Sequence, residues 1–352
     1  MNKHKKFIFV TLTTTAFFCC LVAVVNYAVD PLWCFNHPVL IGRYQNGFDE
    51  RQQKTNWLTF HDVSYDTLIL GSSRVAYLDP RCVPGKAFNY AASSMRPEEF
   101  PGYADYIKTK NSRPIETVIL GLGFFETNAS MKKSKNPSWY IRQANSFSRY
   151  TSLFTGNLLN ISVNAIKRDL RGNIHGSYFY DGQEVLSRQM LLPVSPSTLE
   201  KNVASQVSAY KTNIYGGDYT YDSKNKIYYK KLRESFPEAR FCVFITPVTY
   251  HLLDLLKAEG RWDDYKRWVT ELVNTFGVVW NFMYYNDVTM NVPSNFQDAH
   301  HYSPEIAELI IKKTHELPIE HPYESFGIKM TPKTLSSDID FLERNFQTSG
   351  LE

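Results

Sequence analysis

The chain is poor in cysteine and in net charge. Five cysteines occur in 352 residues, and two of them, Cys19 and Cys20, fall inside a long apolar run. The other three, Cys34, Cys82 and Cys242, are an odd number at spacings that match no metal-ligand motif, which argues against a zinc site and leaves at least one thiol without an internal bridge. Charged residues make up 21% of the chain and the formal net charge is +4, of which Lys3, Lys5 and Lys6 supply three. What remains offers no electrostatic footprint for nucleic acid. There is no internal repeat and no low-complexity tract. The Asn-x-Ser triplets at Asn128 and Asn160 are of a kind that arises by chance in chains of this length. The 43% hydrophobic and 15% aromatic content is that of a folded protein with a sizeable core.

Phe7 to Val29 is a stretch of about 23 residues without a charge, preceded by "MNKHKK". Roughly 20 apolar residues cross a bilayer as a helix, whereas a cleaved signal has a shorter apolar core ending in small residues. No A-x-A site stands at the end of this run, so it reads as an uncleaved single-pass anchor. The basic flank predicts an N-terminus in the cytoplasm and the rest of the chain outside it, with Tyr27 and Trp33 near the outer interface. Residues 1–30 are then cytoplasmic tip and anchor, 31–60 a linker leading into the domain, and 61–352 the domain itself.

Short β-like runs recur at 66–71, 87–91, 116–123, 239–248 and 278–285. Their continuous apolar character suits strands buried on both faces, hence a mostly parallel sheet. Helical segments at 97–110, 223–236 and 251–277 alternate with them, which predicts a three-layer α/β domain with right-handed crossovers. From about 124 to 222 the β pattern stops, and this part reads as an insertion containing a long helical stretch and a hairpin or loop near 174–186. The tail beyond Leu317 is expected to add a short strand and a helix at one edge. Cys242, within "ARFCVFITPV", reads as a buried small apolar residue.

Two short motifs carry chemistry. "LILGSSRV" ends the first apolar run in Gly71, Ser72 and Ser73, at the carboxyl edge where open parallel sheets bind ligands. A serine opening the next helix can be a nucleophile near free backbone amides, or simply a helix cap. Near the other end, "NFQDAHHYSPEIAELIIKK" sets Asp298 three residues before His301, ahead of Ser303-Pro304, a good helix start. That separation lets the carboxylate reach one imidazole nitrogen while the other faces a serine as general base.

The G-[D/S]-S block after the first strand and the D-x-x-H block before the last helix resemble the outer signatures of the SGNH, or GDSL-like, hydrolase superfamily. The closer likeness is to its membrane-anchored extracytoplasmic branch, which includes accessory proteins of alginate O-acetylation and the D-alanyl transfer protein of teichoic acid modification. The resemblance implies a flavodoxin-like three-layer sheet and a bacterial envelope location. It also implies Ser73 as nucleophile, His301 as base, Asp298 as its support, and the amides of Ser73 and Ala91 as oxyanion donors. The expected activity is acyl transfer or ester hydrolysis on an envelope or exported polysaccharide, without metal or organic cofactor and in concert with a multi-spanning membrane acyltransferase. His300 falls on a variable position of the motif.

The middle blocks depart from the pattern. "FNYAASSM" has Ala91 where the family has Gly, and "LGLGFFETN" has Gly123 where the family has an Asn side chain. Loss of one such donor costs on the order of 10²- to 10³-fold in rate. Arg74 is either a substrate contact or an exposed residue at a helix start. Asn89 either bonds the loop after Ser73 or caps its own turn, and Glu126 and Asn128 are candidates to line the pocket. His251 reads as a helix-start histidine at the active edge. The aromatic clusters "GSYFYDG" and "YYKK" suit packing more than sugar stacking. The alternatives to an acyltransferase are a plain envelope carbohydrate esterase and a non-catalytic binding or assembly protein that keeps the fold.

Overall fold

The computed structural model describes residues 2–190, 194–319 and 323–348. The chain divides into two compact units, one formed by Met1–Val63 with Pro137–Gln189 and the other by Ser64–Asn136 with Met190–Glu352. The strands in chain order are β1 (Tyr44–Asn46), β2 (Thr67–Gly71), β3 (Ala87–Asn89), β4 (Thr117–Leu122), β5 (Ser177–Tyr180), β6 (Val185–Arg188), β7 (Arg240–Ile245), β8 (Val279–Asn281) and β9 (Ile328–Met330).

The larger unit is α/β. Its sheet runs in the order β3-β2-β4-β7-β8-β9, parallel throughout except that β9 pairs antiparallel with β8. Leu68, Ile69 and Leu70 of β2, Val118, Ile119 and Leu120 of β4, and Val243, Phe244 and Ile245 of β7 are buried. Complete burial on both faces is what their unbroken apolar runs require. Helix Trp262–Phe276 buries Tyr265, Trp268, Val269, Leu272 and Val273, one stripe at helical spacing, and ends at Gly277, whose φ of 81° suits glycine. Each such large apolar side chain taken out of water stabilises the unit by roughly 1.5–3 kcal/mol. The expected single helix over 251–277 is two, Tyr250–Ala258 and Trp262–Phe276, because Gly260 turns the chain at φ 67° between them. The tail supplies edge strand β9 and helix Leu335–Thr348, as read from the sequence.

The smaller unit holds the anchor candidate. Helix Lys3–Val29 is long and apolar enough to cross a membrane: its most apolar 18-residue window has mean hydropathy 2.4 and is wholly unburied. The unit also contains the hairpin β5–β6, with β1 antiparallel to β5, and helices Glu50–Phe60, Pro137–Gln143, Ser146–Thr151 and Gly156–Leu170.

Two expectations give way here. Residues 31–60 are no linker: they supply β1 and helix Glu50–Phe60, whose residues from Glu50 to Leu58 are all buried. Its polarity disguised it, since amide side chains such as Gln53 and Asn56 spend their hydrogen bonds on the carbonyls of Pro31, Asn46 and Leu32. The stretch 124–222 is likewise not one insertion, because 137–189 joins the N-terminal segment while helix Pro196–Asn213 belongs to the sheet unit. Trp33 packs inside the smaller unit. It is fully buried, stacks on Tyr180 at 5.6 Å, and its indole N–H donates to Gln45 at 2.8 Å. Tyr178 and Tyr180 of the "GSYFYDG" cluster are packed in this same core. All five cysteines are free, Cys34 and Cys242 buried.

Candidate active site

Ser73 is placed by two glycines. Gly71 closes β2 with φ 151°, a conformation side chains rarely adopt, and a Cβ there would lie 2.5 Å from the Gly121 carbonyl and 2.6 Å from Val75 Cγ2. Gly121, its register partner on β4, would likewise meet Val75 at 2.5 Å. The absence of both side chains lets the short helix Ser73–Ala76 turn tightly over the carboxyl ends of β2 and β4. Ser73 stands at its start, half-buried, and its backbone N–H has no acceptor among the described residues.

Asp298 and His301 lie on a loop closed by a bridge between Phe296 and Tyr302 and by the Gln297 amide donating to the His301 carbonyl at 3.1 Å. Neighbouring elements clamp it. Asn202 donates to the Gln297 carbonyl at 3.1 Å, Gln206 accepts from the Ala299 amide at 3.2 Å, and the Thr249 amide donates to the Ala299 carbonyl at 3.0 Å. Ser303 then caps helix Pro304–Thr314 through the Ile306 amide.

The three side chains form one chain of hydrogen bonds. His301 Nε2 lies 2.9 Å from Ser73 Oγ, and His301 Nδ1 lies 2.6 Å from Asp298 Oδ2. Asp298 Oδ1 accepts the amides of His300 and His301 at 2.9 and 2.8 Å. Burial opposes the charge on Asp298, but His301 beside it and these hydrogen bonds hold its carboxyl well below the usual carboxylate range. Burial, with His301 and Arg74 nearby, pushes the His300 imidazole far below its ordinary value. A neutral imidazole with Asp298 on Nδ1 keeps its proton there and presents a lone pair to Ser73.

Ligand atoms of Asp298, His300 and His301 lie within 4.8 Å of one another. Two ligands of one tetrahedral zinc stand roughly 3.3 Å apart at ordinary bond lengths. The 2.6 Å between Asp298 and His301 is hydrogen-bond length, so this trio would have to open before it held a metal.

The other sequence candidates fall differently. Arg74 is neither exposed nor turned to solvent. It is 1% accessible, donates to Thr246 Oγ1 at 3.1 Å and to the Tyr210 hydroxyl at 2.5 Å, and lies over the Phe125 ring. It also fills the place a side chain at Gly123 would take, since a Cβ there would be 2.5 Å from Arg74 Nη1. Asn89 does both things read for it: its amide donates to the carbonyls of Val75 and Leu78, and its oxygen accepts the Ala91 N–H at 3.0 Å. The Ala91 amide is therefore engaged in its own turn and is not a free oxyanion donor. Glu126 is buried, accepts the Gly123 amide at 2.9 Å and leaves Oε2 without a partner among the described residues; burial pushes its carboxyl up to about 8 against the pull of that amide and of Arg74. Asn128 is also buried and donates to the carbonyls of Asn213 and Ile214, so its side chain serves the fold rather than a pocket.

His251 opens helix Tyr250–Ala258 as expected, and lines an apolar cavity of about 420 Å³ with Leu199, Val203 and Met290. Sequence reading missed Tyr210 and Thr246 around Arg74, and Asn202 and Gln206 against the 297–299 loop. The spacing of Asn202, Gln206 and Tyr210, one face of helix Pro196–Asn213, was the available signal. No family model matches this chain, and no curated protein matches it.

Proposed function

We propose that this protein is a membrane-anchored serine acyltransferase or esterase with an SGNH-like, flavodoxin-type sheet unit. The observation that carries the reading is the unbroken Ser73–His301–Asp298 chain of hydrogen bonds at 2.9 and 2.6 Å. In this reading His301 Nε2 takes the Ser73 proton as Oγ attacks an acyl carbonyl, and Asp298 stabilises the imidazolium that forms. The tetrahedral intermediate expels the donor's leaving group, protonated by His301. The acyl-enzyme is then resolved by a sugar hydroxyl, giving transfer, or by water, giving hydrolysis. The unbonded Ser73 N–H is the donor available to the oxyanion, and the fixed charge of Arg74 behind Gly123 favours negative charge at this edge.

The anchor helix and its basic flank support a single-pass protein of a bacterial cytoplasmic membrane, its site outside the cytoplasm. There the acceptor is an envelope or exported polysaccharide and the donor a multi-spanning membrane acyltransferase, as the family resemblance suggests. A second reading, a non-catalytic binding protein, is favoured by the engaged Ala91 amide and by the missing side chain at Gly123. Fluorophosphonate labelling of the full chain in detergent micelles, with the adduct located by mass spectrometry, separates the two. An adduct on Ser73 that is lost in His301→Ala is the expected result, and a folded protein with no adduct supports the binding protein instead. Rapid hydrolysis of small acyl esters without an acceptor favours the esterase.

A further inference from the structure

Within the smaller unit, residues 146–154 form a helical segment with two unlike faces. Phe147, Tyr150 and Phe154 follow the i, i+3, i+7 spacing of one helical face and are 78%, 55% and 57% exposed. Leu153 turns inward, into a cluster with Cys34 and Phe35 that Ala23 of the long apolar helix packs against. Three large aromatic side chains on one face in water are costly, and such a face marks an interaction site.

The neighbours of this face identify what covers it. The carbonyls of Leu153 and Thr155 accept hydrogen bonds from the buried Asn26 amide at 2.8 and 3.3 Å, and Ser162 donates to the Asn26 oxygen at 2.8 Å. The Tyr150 ring lies 5.9 Å from Phe35, which lies 4.9 Å from Tyr27 on the apolar helix. A helix needs roughly 20 residues to cross the hydrocarbon core. Counted from Phe7, the first residue past the basic flank, that length ends at Asn26, where the 152–155 segment is tied on. The aromatic stripe thus continues the surface of the apolar helix at the depth where a span leaves the hydrocarbon. Aromatic rings concentrate at that level, having an apolar body and tolerating the polar boundary. Arg149, on another side of the same turn, turns inward: its guanidinium lies over the rings of Phe35, Phe60 and Tyr150 at 4.4, 4.8 and 5.4 Å, which leaves the aromatic face itself uncharged.

We propose that Phe147, Tyr150 and Phe154 insert into the headgroup–acyl boundary of the bilayer that the apolar helix crosses, so that the smaller unit rests on the membrane surface. This inference rests on the helix spanning a membrane and is independent of any chemistry at Ser73.

The test uses the full chain in nanodiscs of phosphatidylethanolamine and phosphatidylglycerol, with Cys19, Cys20 and Cys82 replaced by Ser. Nitroxides are placed by Phe147→Cys and Phe154→Cys. The control is Leu170→Cys, 75% exposed at the other end of helix Gly156–Leu170 from the Thr155 attachment. Labels at 147 and 154 should collide with oxygen in preference to an aqueous nickel chelate, at a depth of about 5–10 Å, while the label at 170 reports water. Water accessibility at 147 and 154 equal to that at 170 would overturn the proposal. So would exclusion of both quenchers, which would mean that a second copy or another protein covers the face. Phe154→Trp, a conservative change, provides a second reading: its added emission should be quenched by lipids brominated high on the acyl chain, and an unquenched increment counts against insertion.

Discussion

Exchanging Asp298 for Asn replaces one carboxylate oxygen by an NH₂ group and leaves the volume nearly unchanged. The Asn oxygen can still accept the His300 and His301 amides, now at 2.9 and 2.8 Å, so the loop keeps its backbone contacts. The atom 2.6 Å from His301 Nδ1 becomes a donor. Nδ1 must then act as acceptor, the ring proton moves to Nε2, and the nitrogen 2.9 Å from Ser73 Oγ no longer offers a lone pair. Loss of the correct tautomer in a serine–histidine–aspartate arrangement lowers turnover about 10⁴-fold, or roughly 5.5 kcal/mol of transition-state stabilisation. The assay is the second-order rate of fluorophosphonate labelling at Ser73 in Asp298→Asn, read beside the thermal midpoint. A fall in labelling of about 10³- to 10⁴-fold with a midpoint close to wild type is expected. A labelling rate within twofold of wild type would refute the assignment of Asp298 and His301 as a base pair acting on Ser73.

Three further outcomes follow from buried groups. Glu126 titrates at about 8 in the folded chain against its ordinary 4.5, so between those values the folded state holds a proton that the unfolded state has released. Stability should therefore fall as pH rises from about 4.5 to about 8, and Glu126→Gln should flatten this slope in thermal melts at pH 5 and pH 8; parallel wild-type and mutant curves would show that Glu126 is not the group responsible. Gly123→Ala sets a Cβ 2.5 Å from Arg74 Nη1 and must displace a guanidinium held by Thr246 and Tyr210. A loss of about 1–3 kcal/mol in denaturant unfolding is expected, and the larger Gly123→Asn should be no better tolerated. Asn26→Leu strips the carbonyls of Leu153 and Thr155 and the Ser162 hydroxyl of their partner. With about 1–3 kcal/mol for each buried group left unsatisfied, faster proteolysis within 146–170 should follow, and an unchanged digestion pattern would argue that water replaces the amide.

The strands of the larger unit were legible because a parallel strand buried on both faces must be apolar throughout, and β2, β4 and β7 are. The helix Glu50–Phe60 was illegible for the converse reason: it is buried although polar, and only its hydrogen-bond partners explain that. Position along the chain misled for 137–189, since contacts, not sequence order, bring that segment to the N-terminal residues.

At the site, local chemistry sufficed for the motif. The glycine-serine turn after β2, the three-residue separation of Asp298 and His301, and the Ser-Pro helix start are all set by short-range sterics and hydrogen bonding, so the residues themselves declare them. The meeting of Ser73 with His301 across 228 positions was an expectation that only the folded sheet could realise. The folded chain also decided which polar groups are spent inward. Arg74, Ala91, Glu126 and Asn128 were candidates to serve a ligand, yet Arg74 and Asn128 are held by partners distant in sequence, and the Ala91 amide and one Glu126 oxygen by their own turns. A one-dimensional pattern reports what a side chain can bond to, whereas burial and geometry decide what it does bond to.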